Sequence, residues 1–489
     1  MIQPEKIIYD YSAPGKRGYE LPKLDVPAVD PIKALPKAML RSKKARLPEL
    51  SEVEVVRHFT RLSRLNYGVD IGFYPLGSCT MKYNPKLNES VSSLAEYSEL
   101  HPFTPTFAAQ GALELMWKLG EALKTITGFA AVTLQPPAGA SGELTGLILM
   151  RALLNDRGET QRNRVIIPDS SHGTNPASIS FAGCEIIEVK SASDGTLDPD
   201  AIRDAADDRI VGLMITNPNT LGIFESRIRE VASIIHDAGG LMYMDGANLN
   251  ALLGITRPAD LGFDVMHINL HKTFSTPHGG GGPGSGPICG VKAIEPFLPI
   301  PVIRKKENGA FYQDWNREKS IGRVHGFYGN FLMLLRAYTY ILANGKEGLE
   351  QVSRAAILNA NYLRVLLQPE YKLYHPEQCL HEVVFSADNQ LQYGVKALDI
   401  AKRLLDFGMH APTIYFPLII HEALMIEPTE TETKEKLDEF IAIMKQIARE
   451  AQENPELLHE APMQTPVRRL DEALAARKPN VRYIREMQD

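Results

Sequence analysis

The hydrophobic positions between about residue 110 and residue 290 fall into two alternating patterns. Short apolar runs, typical of buried strands, alternate with longer runs in which apolar residues recur every three or four positions, as in helices. This alternation predicts an α/β fold with a parallel or mostly parallel sheet and helices on both faces. In chain order the runs are GALELMWKLGEALKTITG, AAVTLQ, SGELTGLILMRALLND, RVIIPD, EIIEVK, IVGLMIT, IREVASIIHDAGG, LMYMDG and DVMHINL.

Regions of different pattern flank this alternation. The first 50 or so residues are rich in proline and charge, which predicts either an extended arm or a disordered tail. Apolar side chains favour an arm that docks on a partner subunit: Ile7, Ile8, Tyr9, Tyr11 and Tyr19. After about residue 330, two helical patterns lead to the predicted strands EVVFSA, TIYFPLII and ALMIEP and the helix TKEKLDEFIAIMKQIAREAQ. We predict an arm with a leading helix (1–60), a large α/β domain (61–330) and a smaller α+β domain (331–489).

Composition narrows the class of partner. The 489 residues are 44% hydrophobic and 23% charged, as in an ordinary globular protein of two or more domains. A net charge of −6 gives no basic surface for nucleic acid or an anionic membrane. No signal-type segment or membrane span is evident, and the four cysteines are widely separated. We expect a cytoplasmic protein that binds small molecules and proteins, with Cys79 more plausible as a buried residue than as a nucleophile.

One lysine precedes a glycine-rich run. NLHKTFSTPHGGGGPGSG (269–286) places Lys272 after a predicted strand and before the glycines. The run lacks the GKS or GKT ending of a phosphate-binding loop, so a nucleotide site is poorly supported. A flexible surface loop is the alternative, but the lysine and the two histidines beside it favour a functional site.

An aspartate follows the preceding strand. LMYMDGAN ends in Asp245, and side chains at the carboxyl ends of neighbouring parallel strands share one crevice. Asp245 and Lys272 together are what pyridoxal phosphate requires, a lysine for the Schiff base and a carboxylate that keeps the pyridine nitrogen protonated. Taken alone, Asp245 would be read as a structural residue that caps a turn.

Three weaker signals follow other strands. In LQPPAGASGELTGLILM a helix is expected to begin near Ser141, where backbone N–H groups could bind a phosphate, although a plain helix cap by Ser141 explains the same letters. His172 could stack on a cofactor ring or be an ordinary histidine. Asn217 could donate to a ring hydroxyl or make an Asx turn.

The order of these signals resembles that of the aspartate-aminotransferase-like (fold type I) pyridoxal phosphate enzymes. Between about residues 60 and 480 the sequence more closely resembles glycine decarboxylase, the P-protein family of the glycine cleavage system, and specifically subunit 2 of its split two-subunit form. The motifs are YPLGSCTMKYNP (74–85), QPPAGASGE (135–143), SSHGTNPAS (170–178), TNPNTLGIFE (216–225), DGANLNA (245–251), NLHKTFSTPHGGGGPGSGP (269–287) and PTIYFPLIIHEALMIEPTETE (412–432).

The resemblance implies a role for each site residue. Lys272 would form the Schiff base with pyridoxal 5'-phosphate, Asp245 would bind the pyridinium, and His172 would cover the ring face. The phosphate would lie at Ala140 and Ser141. Further cofactor or substrate contacts are implied at Asn217, Ala247, His271 and Thr273. No metal is expected.

The resemblance also implies a reaction and its partners. Glycine would lose carbon dioxide, and its aminomethyl group would pass to the lipoyl arm of H-protein. The chain would assemble with a homologous subunit 1, as a tetramer of two subunit pairs. We further infer that the glycine run leaves room for the lipoyl arm. Arg323 and His325 are candidate ligands for the glycine carboxylate.

Two other interpretations remain at this stage. Another fold type I activity, an aminotransferase or a cysteine desulfurase, would require a substrate-binding arginine or a mobile loop cysteine, and PTIYFPLIIHEALMIEP offers neither. A non-catalytic subunit that has lost the cofactor is the second alternative. The presence of both Lys272 and Asp245 argues against it.

Overall fold

A computed structural model describes residues 4–43, 45–278, 284–375, 377 and 379–482. The chain divides into two compact units, one formed by Met1–Ile71 with Pro462–Asp489 and the other by Gly72–Ala461. The domain limits given above stay a prediction. The glycines at 279–282, and with them the inferred room for a lipoyl arm, lie outside the described residues.

The smaller unit contains the arm and its leading helix. Its elements are a 3-10 turn (Ile8–Tyr11), α1 (Pro31–Ala34), a second 3-10 turn (Lys37–Met39), α2 (Glu52–Leu65) and a helix at Glu472–Arg477. A capping box begins α2, because Ser51 and Glu54 each accept a hydrogen bond from the other's backbone N–H. The sequence SEVEVV therefore fixes where this helix begins.

The arm contacts α2 at its start and is exposed further along. The carboxylate of Glu5 accepts hydrogen bonds from Arg61 at 2.8 Å and from the Tyr11 hydroxyl at 2.9 Å. The Tyr11 hydroxyl thus has its hydrogen-bond partner within this unit, whereas the Tyr19 side chain is 78% exposed. Other apolar side chains beyond Tyr19 are also exposed: Leu21, Leu24, Val26, Val29, Ile32, Leu35, Met39 and Leu47.

Seven strands form the central sheet of the larger unit: β1 (Ala131–Thr133), β2 (Arg164–Pro168), β3 (Glu185–Val189), β4 (Ile210–Thr216), β5 (Leu241–Gly246), β6 (Val265–Ile268) and β7 (Ile288–Gly290). Their order is β1-β7-β6-β5-β4-β2-β3. Among these seven strands, β7 runs antiparallel to its two neighbours, β1 and β6. The other neighbouring pairs are parallel. The predicted mostly parallel sheet is confirmed.

Alternate residues of the central strands enter two separate apolar cores. In β4, Leu213 packs into one core and Met214 into the other, and Met242 and Tyr243 divide in the same way in β5. Every residue of β4 and β5 is buried. Burial on both faces explains why these strands read as continuous apolar runs rather than as an alternation of apolar and polar residues.

Helices cover both faces of the sheet and continue beyond it. They are α3 (Lys86–Ser92), α4 (Ala95–Ser98), α5 (Gln110–Thr127), α6 (Gly139–Asp156), α7 (Thr174–Phe181), α8 (Pro199–Ala205), α9 (Ile228–Asp237), α10 (Leu270–Thr273), α11 (Phe331–Leu367), α12 (Asp388–Leu391), α13 (Ala397–Asp406), α14 (Lys434–Glu453) and α15 (Glu456–Glu460), with 3-10 turns at Leu249–Ala251, Pro258–Leu261 and Lys292–Phe297. Gly345 interrupts α11 with a φ of 62°. In the described part of the chain, no helix is long and apolar enough to cross a membrane.

Two small antiparallel sheets complete the larger unit. One pairs β8 (Val302–Lys305) with β9 (Phe311–Asp314), and the other has the order β10 (Val383–Ser386), β12 (Ala423–Ile426), β11 (Thr413–Ile414). The predicted strand at 413–420 is wrong beyond Ile414. Tyr415 adopts a φ of 58°, and Pro417 has no N–H to donate, so β-pairing ends there.

The segment that precedes α3 packs against the second small sheet. Leu76 forms an antiparallel bridge with Ile426, and the N–H of Gly77 donates to the carbonyl of Met425 at 3.3 Å. A Cβ at Gly77 would lie 2.1 Å from the Met425 side chain, so only glycine allows this approach. Residues close to position 80 are thereby attached to an element more than 300 positions away.

Candidate active site

Lys272 lies on α10, the single helical turn after β6. Its side chain is buried, and Nζ donates a hydrogen bond to the carbonyl oxygen of Ser78 at 2.7 Å. The chain beyond the glycines returns alongside, because the N–H of Leu270 donates to the carbonyl of Ser285 at 3.1 Å. The helical turn of the predicted lysine is therefore hydrogen-bonded to the returning chain, and the lysine amine donates to a backbone carbonyl.

A second buried lysine, which the sequence analysis did not identify, lies next to this turn. Lys82 Nζ donates to the carbonyl of Thr273 at 3.0 Å and to Glu430 at 2.7 Å. Burial lowers the pKa of Lys82, but Glu430 and Tyr340 outweigh it, so the pKa lies above its ordinary value. Lys82 therefore remains protonated at neutral pH, which makes it a poor nucleophile.

Asp245 ends β5 and is buried with both carboxylate oxygens engaged. Oδ1 accepts from the N–H of Ala247 at 2.9 Å, and Oδ2 accepts from Asn175 Nδ2 at 3.1 Å. Burial alone raises the pKa of Asp245, but His267, Asn175 and Lys272 outweigh burial and hold the pKa below its ordinary value. Asp245 is therefore an anion at neutral pH and suits a cationic partner. Ala247, also predicted at the site, supplies one of its hydrogen bonds.

His267 supports Asp245 from the neighbouring strand. Its Nε2 lies 3.3 Å from Asp245 Oδ1, and its Nδ1 lies 2.9 Å from the Tyr243 hydroxyl. Burial raises the pKa of Tyr243 well above its ordinary value, so the Tyr243 hydroxyl beside His267 Nδ1 stays neutral. The sequence signal was a histidine within an otherwise apolar strand, and it was missed.

His172 lies after β2 with a neutral, partly buried ring. Nδ1 is 2.8 Å from the hydroxyl of Thr174, which donates in turn to Glu143 at 2.7 Å. Burial, followed by Lys272, lowers the pKa of His172 from its ordinary value of 6.5. A neutral imidazole suits stacking on a cofactor ring better than a cation does, because the ring is itself cationic when its nitrogen is protonated.

The predicted phosphate turn begins earlier than expected. Helix α6 starts at Gly139, and its N-cap is Ala138, whose extended backbone precedes the first helical bond, from Gly142 N–H to the Ala138 carbonyl at 2.9 Å. The helix thus starts two residues before Ser141, close to the predicted position, whereas the alternative in which Ser141 is the N-cap is wrong. Ala140 and Ser141 instead lie in the first turn, which has no side-chain cap among the described residues and whose N–H groups are available to an anion.

The small residues of this turn have a packing role as well. A Cβ added to Gly142 would lie 2.8 Å from the carbonyl oxygen of Gly286, and one added to Gly139 would lie 2.4 Å from Asn269 Oδ1. The turn therefore packs backbone to backbone against the segment after the glycine run. This contact brings the start of α6 next to α10.

Several buried polar atoms at this end of the sheet have no hydrogen-bond partner in the described part of the chain: Asn217 Nδ2, Asn269 Oδ1, Thr273 Oγ1 and Ser285 Oγ. Asn217 is fully buried, and its Oδ1 accepts from the N–H of Glu225 at 3.1 Å, so Nδ2 is left as an available donor. Buried polar groups are rarely left without partners, so this group of atoms indicates a polar ligand.

His271 and its neighbour His278 are both neutral. Burial, then His278 and Lys272, lowers the pKa of His271 to about 3, while burial and Lys272 lower the pKa of His278 to about 4. The two rings meet edge to face with centroids 5.0 Å apart, and His271 Nδ1 accepts from the N–H of Ser285 at 3.3 Å. His271 thus lies beside Lys272, as predicted, and contributes no positive charge.

Arg323 and His325 lie on a different segment. The Arg323 guanidinium stacks on Trp315 at 4.6 Å from the ring centroid, and His325 Nδ1 accepts from the N–H of Phe327 at 3.4 Å. Among the described contacts, none joins either side chain to Lys272. Their role as carboxylate ligands stays a prediction.

These residues fit pyridoxal phosphate. A buried amine, a buried carboxylate held as an anion, a neutral imidazole and an uncapped helix start lie at the carboxyl ends of neighbouring strands, with unpartnered donors and acceptors between them. This is the donor set that the cofactor's aldehyde, ring nitrogen, ring face and phosphate each require. Fold and site together define a pyridoxal phosphate enzyme of fold type I.

Comparisons with known proteins identify the family. A family model described as the C-terminal domain of glycine dehydrogenase matches residues 352–465. The chain is 56% identical to the probable glycine dehydrogenase (decarboxylating) subunit 2 of Caldanaerobacter subterraneus, over 98% of this chain and 99% of the relative. It is 54% identical to that of Pyrococcus abyssi, over 98% and 96%. The chain belongs to the glycine dehydrogenase (decarboxylating) subunit 2 family and is an enzyme of that class.

Solved structures agree on the fold. An inhibitor-bound glycine decarboxylase (P-protein) of the glycine cleavage system superposes with a TM-score of 0.72 at 21% identity, over 85% of this chain and 94% of that one. A NifS-like protein superposes with a TM-score of 0.60 at 15% identity, over 77% of this chain and 100% of that one. The predicted fold type I class is confirmed.

Proposed function

We propose that this chain decarboxylates glycine on pyridoxal phosphate held by Lys272, and that the remaining aminomethyl group passes to the lipoyl arm of H-protein. The observation that carries the proposal is the buried Lys272 amine, which lies close enough to a buried carboxylate, Asp245, to help hold the pKa of Asp245 low although burial opposes this. The cofactor, when bound, supplies an electron sink for the electron pair left by the departing carbon dioxide.

The chain's own residues divide the remaining work. Asp245, supported by His267 and Asn175, would hold the proton on the ring nitrogen. His172 would cover one face of the ring. Ala140 and Ser141 would bind the phosphate through backbone N–H groups, and Asn217 Nδ2 would donate to the ring oxygen.

The overall reaction balances without another oxidant. Glycine gives up carbon dioxide, and the sulfur–sulfur bond of the lipoyl group breaks. One sulfur then bonds to the aminomethyl carbon, and the other becomes a thiol on the same lipoyl group. The disulfide is thus the electron acceptor.

We propose that the partner of this chain is a homologous subunit 1, in a tetramer of two subunit pairs. The name shared by the relatives, subunit 2, supports a split enzyme. The exposed apolar side chains beyond Tyr19 support the arm as one contact with that partner. All four cysteines are free, which suits a reducing cytoplasm.

Borohydride reduction followed by peptide mapping tests the central assignment. We expect a pyridoxyl group on Lys272 and none on Lys82, which is the internal control because it is also buried and lies beside the same helical turn. A pyridoxyl group on Lys82 or on any other lysine would overturn the assignment. Turnover of glycine by this chain alone, without subunit 1 and lipoylated H-protein, would refute the proposed partners.

A further inference from the structure

The segment Ser78–Thr80 has an unusual backbone at the site of the lysine amine. Ser78 and Thr80 have φ values of 64° and 48°, in the left-handed region that residues with a side chain rarely adopt. The carbonyl oxygen of Ser78 is the acceptor for Lys272 Nζ. Something other than local preference must therefore hold this carbonyl in place.

Two fully buried carboxylates hold the segment through its backbone N–H groups. Glu382 accepts from the N–H of Ser78 at 2.8 Å, and Glu427 accepts from the N–H of Thr80 at 2.8 Å and from its hydroxyl at 2.7 Å. Both side chains are 0% exposed. The two carboxylates thus accept hydrogen bonds from the residues on either side of Cys79, and both of those residues have a left-handed backbone conformation.

A buried histidine offsets this negative charge. His381 Nε2 lies 3.4 Å from Glu382 Oε1, and the ring makes no hydrogen bond in the described part of the chain. Burial lowers the pKa of His381, but Glu382 and Glu427 outweigh burial and raise it above the ordinary value. Both oxygens of Glu427 accept hydrogen bonds from the protein: Oε2 from the N–H of Thr80, and Oε1 from the Thr80 hydroxyl and from Asn250.

We propose that Glu382 and Glu427 are positioning residues, which fix the carbonyl oxygen of Ser78 as the acceptor for the Lys272 amine. Neither carboxylate is bonded to Lys272 itself, so they act through the backbone of residues 78–80. The inference rests on the proposed function of Lys272. Its geometric content concerns only residues of this chain.

In this arrangement the Ser78 carbonyl is the place that receives the lysine amine whenever the amine is free. An amine held there returns from a fixed position. Without the carboxylates, the left-handed backbone would relax and the carbonyl would turn away.

The test compares three substitutions in the cofactor-free full-length chain. Glu382→Leu removes the acceptor for the Ser78 N–H, whereas Glu382→Gln keeps an oxygen that can accept it. Asp399→Leu is the matched control for a lost buried carboxylate, since Asp399 also accepts a backbone N–H, that of Lys396 at 2.9 Å, at the start of α13. Two readouts are measured by mass spectrometry: hydrogen exchange of peptides covering residues 74–85, and acetylation of Lys272 at fixed pH.

For Glu382→Leu we expect faster exchange in these peptides and acetylation of Lys272 faster by about tenfold, the factor that corresponds to one lost hydrogen bond. Glu382→Gln should restore both readouts, and Asp399→Leu should leave both unchanged. The proposal would be overturned if Glu382→Leu gave wild-type values in both readouts. It would also be overturned if Glu382→Gln behaved like Glu382→Leu, or if Asp399→Leu had an equal effect. These two readouts need no cofactor, whereas the borohydride experiment uses the cofactor-bound protein. Borohydride labelling of another lysine would therefore refute the proposed function without altering the result of this test.

Discussion

Replacing Asp245 by asparagine removes one charge from the centre of the site while keeping its shape. The new amide oxygen can still accept from the N–H of Ala247. Its NH₂ group would face Asn175 Nδ2, but Asn175 Oδ1 has no partner in the described part of the chain, so rotation of that amide restores a hydrogen bond. We therefore expect the variant to fold and to bind some cofactor.

The expected loss is in the chemical step. Two opposite unit charges in contact at a partly shielded site attract by about 4 kcal/mol, and each 1.4 kcal/mol is a factor of ten in rate. An asparagine cannot stabilise a protonated ring nitrogen in this way. Because the site is buried, solvent offers little compensation, and we expect decarboxylation to be slower by about three orders of magnitude.

Exchange of labelled carbon dioxide into glycine, with subunit 1 and H-protein present, measures this step. Asp264→Asn is a matched control, because Asp264 also accepts a strand N–H, that of Met242 at 2.7 Å, and also faces a histidine, His236, at 2.7 Å. The control should retain the exchange rate of the wild type. Exchange by Asp245→Asn within a few-fold of the wild type would show that Asp245 does not hold the ring proton.

Further predictions concern the lysine, the histidines and the arm. Lys272→Ala should abolish both the visible absorbance of the cofactor-bound protein and carbon dioxide release from glycine, and a retained cofactor band would contradict its role. Since folding lowers the pKa of His271 to about 3 and of His278 to about 4, the unfolded chain binds more protons below about pH 6.5. The cofactor-free protein should therefore lose stability as the pH falls from about 6.5 toward 4, by up to about 1.4 kcal/mol per pH unit for each histidine. Denaturant unfolding measures this loss, which should be smaller in His271→Asn and His278→Asn variants; an unchanged slope would refute the neutral assignment. Leu21→Ser with Leu24→Ser should weaken association with subunit 1 in sedimentation and leave cofactor binding intact, since both are exposed; an unchanged complex would mean that the arm is only a tail.

The sequence was sufficient where local pattern determines structure. The alternation of apolar runs predicted the sheet because β4 and β5 are buried on both faces. Lys272 and Asp245 could be predicted to lie together because each stands at the carboxyl end of its own strand, and parallel strands end at one edge. Local pattern was less reliable at the start of α6, where Ser141 resembles a helix cap but the backbone turns earlier, at Ala138.

Apart from His267, the residues that the sequence did not reveal act over long separations. Glu382 is 304 positions from Ser78 in the chain, and Glu427 is 347 positions from Thr80. No periodicity or short motif connects such pairs, and an isolated buried glutamate gives no signal of its partner. Lys82 was missed for the same reason, since its carboxylate partner, Glu430, is 348 positions away in the chain.

These long separations have a consequence for synthesis of the protein on the ribosome. The seven strands of the large sheet, which position Asp245 and Lys272, have all been made once the chain is about 290 residues long. The large sheet can therefore form while the chain is still growing. The carbonyl of Ser78 cannot be fixed until Glu382 and Glu427 have emerged, close to the end of translation. A nascent chain truncated before Glu382 should thus have the reactive lysine but lack its acceptor, and cofactor attachment in its native geometry becomes a late event in the protein's maturation.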